Sequence, residues 1–262
     1  MTAAVSSARR RIRGLVLPAI ILFAWWLVVA LGLADERIVA SIGSVLRYLG
    51  ESIATGDLWV DLGASVGRNL LGFGIGAGLG VATGVLLSLS PDLRGLTLPS
   101  VNALKQVSIF AWVPLISIWF GLGEGARVFV IAFSTWFPVL FNTITGVSGV
   151  PRELLEVAKV HRFNRLQTVT RVILPGALPS IFTGLYVGLV MSWMVTLGAE
   201  YMLTSTRGVG HMLLDGRENF RMDQVLVGVL VVGLVGFALH SIADALERRA
   251  LGWRGPSLAG RI

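Results

Sequence analysis

The chain contains no cysteine, which excludes disulfides and thiolate metal sites. Lysine is nearly missing: Lys105 and Lys159 are the only two among 22 basic residues. Neither follows a glycine, so no phosphate-cradling G-x-x-x-x-G-K-[ST] loop exists, and any ATP that drives this protein is bound by another chain. Charge of either sign is scarce, at 14% of residues against about 25% in a soluble domain. The three histidines (His161, His211, His240) are scattered, so no metal cluster is expected.

What the sequence has in abundance is apolar length. Of 262 residues, 54% are hydrophobic, and the mean hydropathy is +0.77. Several runs reach the roughly 20 residues needed to cross a bilayer. Six spans are drawn: Leu15–Leu33, Asn69–Leu89, Val101–Leu122, Val128–Val147, Leu178–Glu200 and Gln224–Leu246. Each is expected to be helical, because backbone groups in lipid need internal partners. The fold class is therefore an all-α polytopic membrane bundle. It is read as one domain over 15–262, with tails at 1–14 and 247–262 and an inner loop at 148–175. The first span follows Arg9, Arg10, Arg11 and Arg13. Its apolar stretch is longer than a signal-peptide core, so it is read as a retained span.

The net charge of +7 raises nucleic acid as a partner, but the basic residues sit in loops flanking the spans. With both termini in the cytoplasm, inner segments hold 15 Lys/Arg and outer segments 7, the bias expected of a multi-pass inner-membrane protein. Outside, Ala34 to Ser65 reads as a polar connection with a short amphipathic helix near Ile42–Ile53. Span two carries Gly72, Gly76, Gly80 and Gly84 on one face, a groove suited to close helix packing, which Gly74 and Gly78 are expected to widen. Pro114 and Pro138 are expected to kink spans three and four. Gly63-Ala-Ser65-Val-Gly67 matches a hydrolase elbow pattern, but no strand precedes it. The spans lack ionisable residues near their centres, which counts against an ion-coupled carrier. Lys105 and Glu200 lie close to span ends.

The charged segment from Ser148 to Pro175 interrupts this apolar chain. Pro151, Glu153 and Glu156 suit the start of a helix. Leu154, Val157, Ala158 and His161 share one face of it by spacing. Asn164 and Gln167 are placed as a capping box for a second helix, with Leu166, Val169, Val172 and Ile173 as its apolar stripe. Pro175 is expected to end that helix and Pro179 to open the next span. The result is a helix–turn–helix elbow with Arg162 and Arg165 at its tip, set between membrane spans as a docking element.

Glu156-Val157-Ala158, followed by Ile173-Leu-Pro175-Gly-Ala-Leu-Pro179-Ser, resembles the EAA signature of binding-protein-dependent ABC importer permeases. Two residues depart from the pattern: Val157 replaces the middle alanine, and Arg162 stands where the family has glycine. Ala111-Trp-Val-Pro114-Leu-Ile-Ser-Ile-Trp119-Phe-Gly121-Leu-Gly-Glu124 is similar to the third-span signature of sulfonate, taurine and nitrate permeases. Phe137-Pro138-Val-Leu-Phe-Asn142-Thr143, Ala199-Glu200, Gly208-Val-Gly210 and Asp215-Gly-Arg217-Glu218 continue the likeness, which covers nearly the whole chain.

The resemblance implies a type I ABC importer permease with six transmembrane helices, itself non-catalytic and surrounded by membrane lipid. It implies a homodimer docked on an ABC ATPase dimer, which holds the ATP and Mg. It also implies a periplasmic or lipid-anchored substrate-binding protein, and no nucleic acid. Glu156, Val157, Ala158, Lys159, Arg162, Asn164, Arg165 and Leu166 would form the ATPase-docking loop. Asn142, Thr143, Ser192, Trp193, Met194, Thr196 and Glu200 are candidates for the translocation path, with plain helix packing as the competing role. Arg207 or Arg217 is the alternative for attracting an anion. The expected cargo is a small organic anion such as an aliphatic sulfonate. Taurine, nitrate, bicarbonate and a thiamine precursor stay open, as do an ion-driven carrier and a membrane scaffold.

Overall fold

The computed structural model describes residues 16–17, 20–21, 23–32 and 39–250. Among these, the regular elements are helices: α1 (Ile42–Thr55), α2 (Asp57–Leu89), α3 (Pro91–Gln106), a 3-10 turn (Ile109–Trp112), α4 (Val113–Phe120), α5 (Glu124–Ser148), α6 (Arg152–Val160), α7 (Arg165–Thr168), a π-helical turn (Val169–Ile173), α8 (Leu174–Met202), α9 (Val209–Glu218) and α10 (Met222–Ala250). Leu15 and Leu33, the ends of the expected first span, lie outside the described residues; between them, residues 23–30 are helical. Both predicted tails, 1–14 and most of 247–262, also fall outside.

Four described helical stretches are long and apolar enough to cross a membrane: Asp57–Leu89, Glu124–Ser148, Arg165–Met202 and Met222–Ala250. A fifth is counted if the bent pair Pro91–Gln106 and Ile109–Phe120 makes one span. Here the expectation of a single span over Val101–Leu122 is corrected, because the two halves meet at 94°. The break is not at Pro114. Val107 is extended (φ −81°, ψ 128°) and closes α3, whereas Pro114 sits in the first turn of α4, where its missing N–H leaves no bond unmade. Span two is also longer than drawn: the helix begins at Asp57, so the polar connection expected to reach Ser65 ends before it.

The described chain forms two compact units. One holds the described residues up to Trp59 together with Met212–Leu230. In it, Ser41 caps α1 by accepting the Ser44 N–H at 3.1 Å, the amphipathic helix expected there. Gln224 donates to the Met212 carbonyl at 3.0 Å and to Asp215 at 2.8 Å, tying α9 to the start of α10. The Arg221 guanidinium lies 4.9 Å from the centre of the Tyr48 ring.

The other unit comprises Val60–His211 and the described residues from Val231, and its centre is α5. On one side α2 presents its glycine stripe. A Cβ on Gly72 would lie 2.6 Å from Ile131, on Gly80 2.7 Å from Val139, and on Gly84 2.6 Å from Thr143; on Gly76 it would strike the Ala132 carbonyl. Gly74 and Gly78 meet nothing within 4 Å, so they do not widen this face as expected. On the other side α8 brings Gly184 against Asn142 and Gly188 against Val139 and Thr135. Small residues thus let three backbones approach closely around α5, a packing suited to lipid, where no hydrophobic force drives helices together.

Candidate functional site

Two places in this unit carry polar organisation. The first is the elbow. α6 ends in a Schellman turn: Phe163 N–H donates to the Ala158 carbonyl at 2.9 Å and Arg162 N–H to the Lys159 carbonyl at 2.9 Å. The residue that closes such a turn must be left-handed, and Arg162 has φ +51°. The family glycine at this position therefore has a conformational reason, and the arginine keeps the left-handed geometry rather than continuing the helix. The capping box forms as the spacing predicts: Gln167 N–H donates to Asn164 Oδ1 at 2.8 Å and Asn164 N–H to Gln167 Oε1 at 2.9 Å.

Pro175 does not end the second helix. Leu174 N–H donates to the Val169 carbonyl, one residue beyond α-helical reach, and the chain runs on into α8 with Pro179 inside it. The wider π turn accommodates a proline whose ring clashes with the i−4 carbonyl in a regular α-helix. Arg165 to Met202 is consequently one helical stretch of 38 residues. Of the apolar face predicted for α6, only Ala158 is buried. Val160 is 81% exposed and Leu166 72% exposed; Glu156, Val157, Lys159, Arg162, Asn164 and Arg165 are also exposed. The eight candidate docking residues thus share one tip, with Ala158 as its buried foot.

The second place is a charged cluster at the Glu124 end of α5, which the sequence reading missed. Arg68 on α2 is 8% exposed, Arg127 on α5 5%, and Glu200 on α8 0%. Arg68 Nη1 donates to Glu200 Oε1 at 2.7 Å and to the Arg207 carbonyl at 2.7 Å. Its Nε and Nη2 reach the two oxygens of Glu124 at 2.5 and 2.8 Å. Arg127 Nη1 joins Glu124 Oε1 at 2.8 Å, while its Nη2 donates to the carbonyls of Leu122, Leu203 and Thr204. Ser65 Oγ lies 2.7 and 2.9 Å from the Glu200 oxygens and accepts the Val209 N–H. Gly210 N–H donates to Glu200 Oε2 at 2.8 Å. A Cβ on Gly208 would sit 2.6 Å from that carboxylate, and Gly208 has φ +131°. So Gly208-Val-Gly210 closes over Glu200 because only glycine fits there.

The seven path candidates diverge. Ser192 and Thr196 are buried and accept from Asn69 Nδ2 at 2.9 and 3.1 Å. Trp193 is buried, with its indole N–H on the Val232 carbonyl at 3.2 Å. Met194 is 62% exposed. Trp193 and Met194 line an apolar cleft of about 410 Å³ that also holds Tyr186 and His240. Asn142 donates to the Pro138 carbonyl, and Thr143 is buried against Gly84. Glu200 belongs to the charged cluster. A separate cleft of about 400 Å³ opens at the α3 break, lined by Lys105, Val107, Phe133, Pro138 and Met191 among others; none of the seven is among its lining residues. The signal for the charged cluster was present: Ser65, Arg68 and Asn69 continue the stripe of Gly72, Gly76, Gly80 and Gly84 toward the helix start.

This bundle with its exposed elbow has the architecture of type I ABC importer permeases. The inward-facing MetNI methionine ABC transporter matches it with a TM-score of 0.64 at 15% identity, over 74% of this chain and 97% of that one. An amino acid ABC transporter crystallised with histidines matches at 0.59 and 17% identity, over 80% and 99%. Residues 74–252 match the model of the binding-protein-dependent transport system inner membrane component, and the chain belongs to that family as a multi-pass permease subunit. It is 36% identical over 242 residues to the protein of Bacillus subtilis (strain 168) named for aliphatic sulfonates transport, SsuC, covering 92% of this chain and 87% of that one. It is 33% identical to the taurine transport system permease protein TauC of Escherichia coli (strain K12), over 90% and 88%.

Proposed function

We propose that this permease carries a small organic anion of the aliphatic sulfonate class, received from a substrate-binding protein and driven by an ATPase docked on the elbow. The observation that carries the coupling is the continuity of Arg165–Met202: the exposed tip and a membrane span are one helical stretch. A displacement at the tip is transmitted along such a stretch as a rigid movement. Val160 and Leu166 are largely exposed on the same elbow that exposes Arg162 and Arg165, and apolar side chains left open beside basic ones support a docking role for this segment.

The remaining parts follow from the same reading. ATP and Mg reside on the ATPase subunit. Two copies of this chain enclose one path, both termini face the cytoplasm, and the charged cluster faces outward. The sulfonate assignment is supported by the relatives named for aliphatic sulfonates and taurine, at 36% and 33% identity over 92% and 90% of the chain. Relatives named for bicarbonate and nitrate, at 32% and 31% identity over 71% and 78% of the chain, make an inorganic anion the second reading.

The test is reconstitution of the permease with its ATPase and binding protein in liposomes. ATP-dependent accumulation of ethanesulfonate is expected. Uptake of nitrate without ethanesulfonate would reassign the cargo, and uptake driven by an ion gradient without ATP would end the importer reading.

A further inference from the structure

The charged cluster treats its two carboxylates differently. Glu200 is sealed, with no exposed surface and donors from Arg68, Ser65 and the Gly210 N–H. Glu124 has a side chain 59% exposed, and both of its oxygens are held by guanidiniums. It follows Gly121-Leu-Gly123 and precedes Gly125, three glycines with nothing packed within 4 Å of a Cβ position. The Glu124 side chain already borders water, so it has room to swing outward without a change in the backbone, which Arg127 holds at the Leu122 carbonyl. Arg127, 5% exposed, keeps a buried Nε with no hydrogen-bond partner beside it.

We propose that Arg68 and Arg127 form an exchangeable anion seat, which Glu124 fills until a small sulfonate displaces it. This rests on the reading above that the permease carries organic anions and that this cluster faces outward. The chemistry of the exchange is balanced. One negative charge replaces another, so neither buried guanidinium is left uncompensated. Guanidinium forks bind tetrahedral oxyanions in the same bidentate manner as carboxylates. A carboxylate offers two oxygens, whereas a sulfonate offers three. Three guanidinium nitrogens face Glu124, Arg68 Nε and Nη2 and Arg127 Nη1, so a sulfonate has one oxygen for each. Because the tethered carboxylate competes at an effective concentration of millimolar order, the seat is weak for the free anion, as a path that must release its cargo requires.

The experiment uses the purified permease in lipid nanodiscs, with ethanesulfonate as probe and uncharged ethanesulfonamide as control. In wild type, a water-soluble carbodiimide is expected to label Glu124 several-fold faster with ethanesulfonate present, read by peptide mass, and no faster with the amide. Glu124→Gln is expected to bind ethanesulfonate about tenfold more tightly than wild type, and Arg127→Gln in that background to abolish binding. Unchanged labelling together with equal affinities overturns the seat, and the labelling arm decides alone if the variants fail to fold. ATP-driven ethanesulfonate uptake by the wild-type complex is scored separately. Uptake with unchanged labelling removes the seat and leaves the importer reading. Faster labelling without uptake keeps the seat and removes the sulfonate as cargo.

Discussion

Arg68 Nη1 and Glu200 Oε1 lie 2.7 Å apart, and Glu200 exposes none of its surface. The pair joins α2 to α8, and it is the kind of bond whose halves are worth more together than either is alone. Removing one partner of a buried pair leaves the other uncompensated, at about 3–5 kcal/mol. Arg68→Met, which leaves the sealed Glu200 without a cation, is expected to lose that much stability, seen as a lower thermal midpoint in detergent. Glu200→Leu is expected to cost less, because Arg68 keeps Glu124, and the double variant Arg68→Met, Glu200→Leu is expected to recover part of the Arg68→Met loss, a coupling read by a double-mutant cycle. An Arg68→Met protein as stable as wild type would contradict the assignment.

The glycine stripe yields a pair of substitutions with opposite signs. Gly76→Ala drives a methyl group into the Ala132 carbonyl and is expected to destabilise by about 1–3 kcal/mol. Gly78→Ala, two residues along the same helix, meets nothing within 4 Å. There the gain in helix propensity dominates, worth up to about 1 kcal/mol. Thermal unfolding of both variants side by side measures the difference, and equal shifts would refute the packing of α2 on α5.

How far these features could be read in advance depends on the range over which each is determined. The capping box of Asn164 and Gln167, the helix at Ile42–Thr55 and the packing role of Gly72, Gly76, Gly80 and Gly84 were legible, because spacing within a few residues decides them. The bend at Val107 was not, since the prolines nearby drew attention to Pro114 while the chain turns where a non-proline residue becomes extended. Pro175 misled for the related reason that one π turn absorbs its ring clash. The Arg68–Glu124–Arg127–Glu200 cluster unites residues up to 132 positions apart. Each of them, taken singly, looked like a charge flanking a span.

The turn at Arg162 gives a prediction about the elbow alone. A left-handed conformation costs a residue bearing a Cβ about 1–2 kcal/mol, partly offset because glycine adds about 0.4–1 kcal/mol of entropy to the unfolded chain. Arg162→Gly is therefore expected to slow hydrogen exchange at the Arg162 and Phe163 amides by a few-fold. Arg162→Val, β-branched at φ +51°, is expected to speed it. Exchange insensitive to both would mean the Schellman turn does not close in solution.

Glu156 separates docking from folding. It is exposed on α6, next to the one buried residue of that helix, Ala158. Exposed substitutions of this kind shift stability by no more than about 0.5 kcal/mol, so Glu156→Lys is expected to leave the thermal midpoint and membrane insertion unchanged. Glu156 is the one acidic residue among the eight candidate docking residues. A basic or donor group that the ATPase sets against it would face a lysine after the reversal, and like charges placed against each other at an interface cost several kcal/mol. Loss of ATPase capture and of ATP-driven uptake is expected, with the bundle intact. A correctly inserted Glu156→Lys permease with full capture and transport would sink the elbow as the site where the motor is attached.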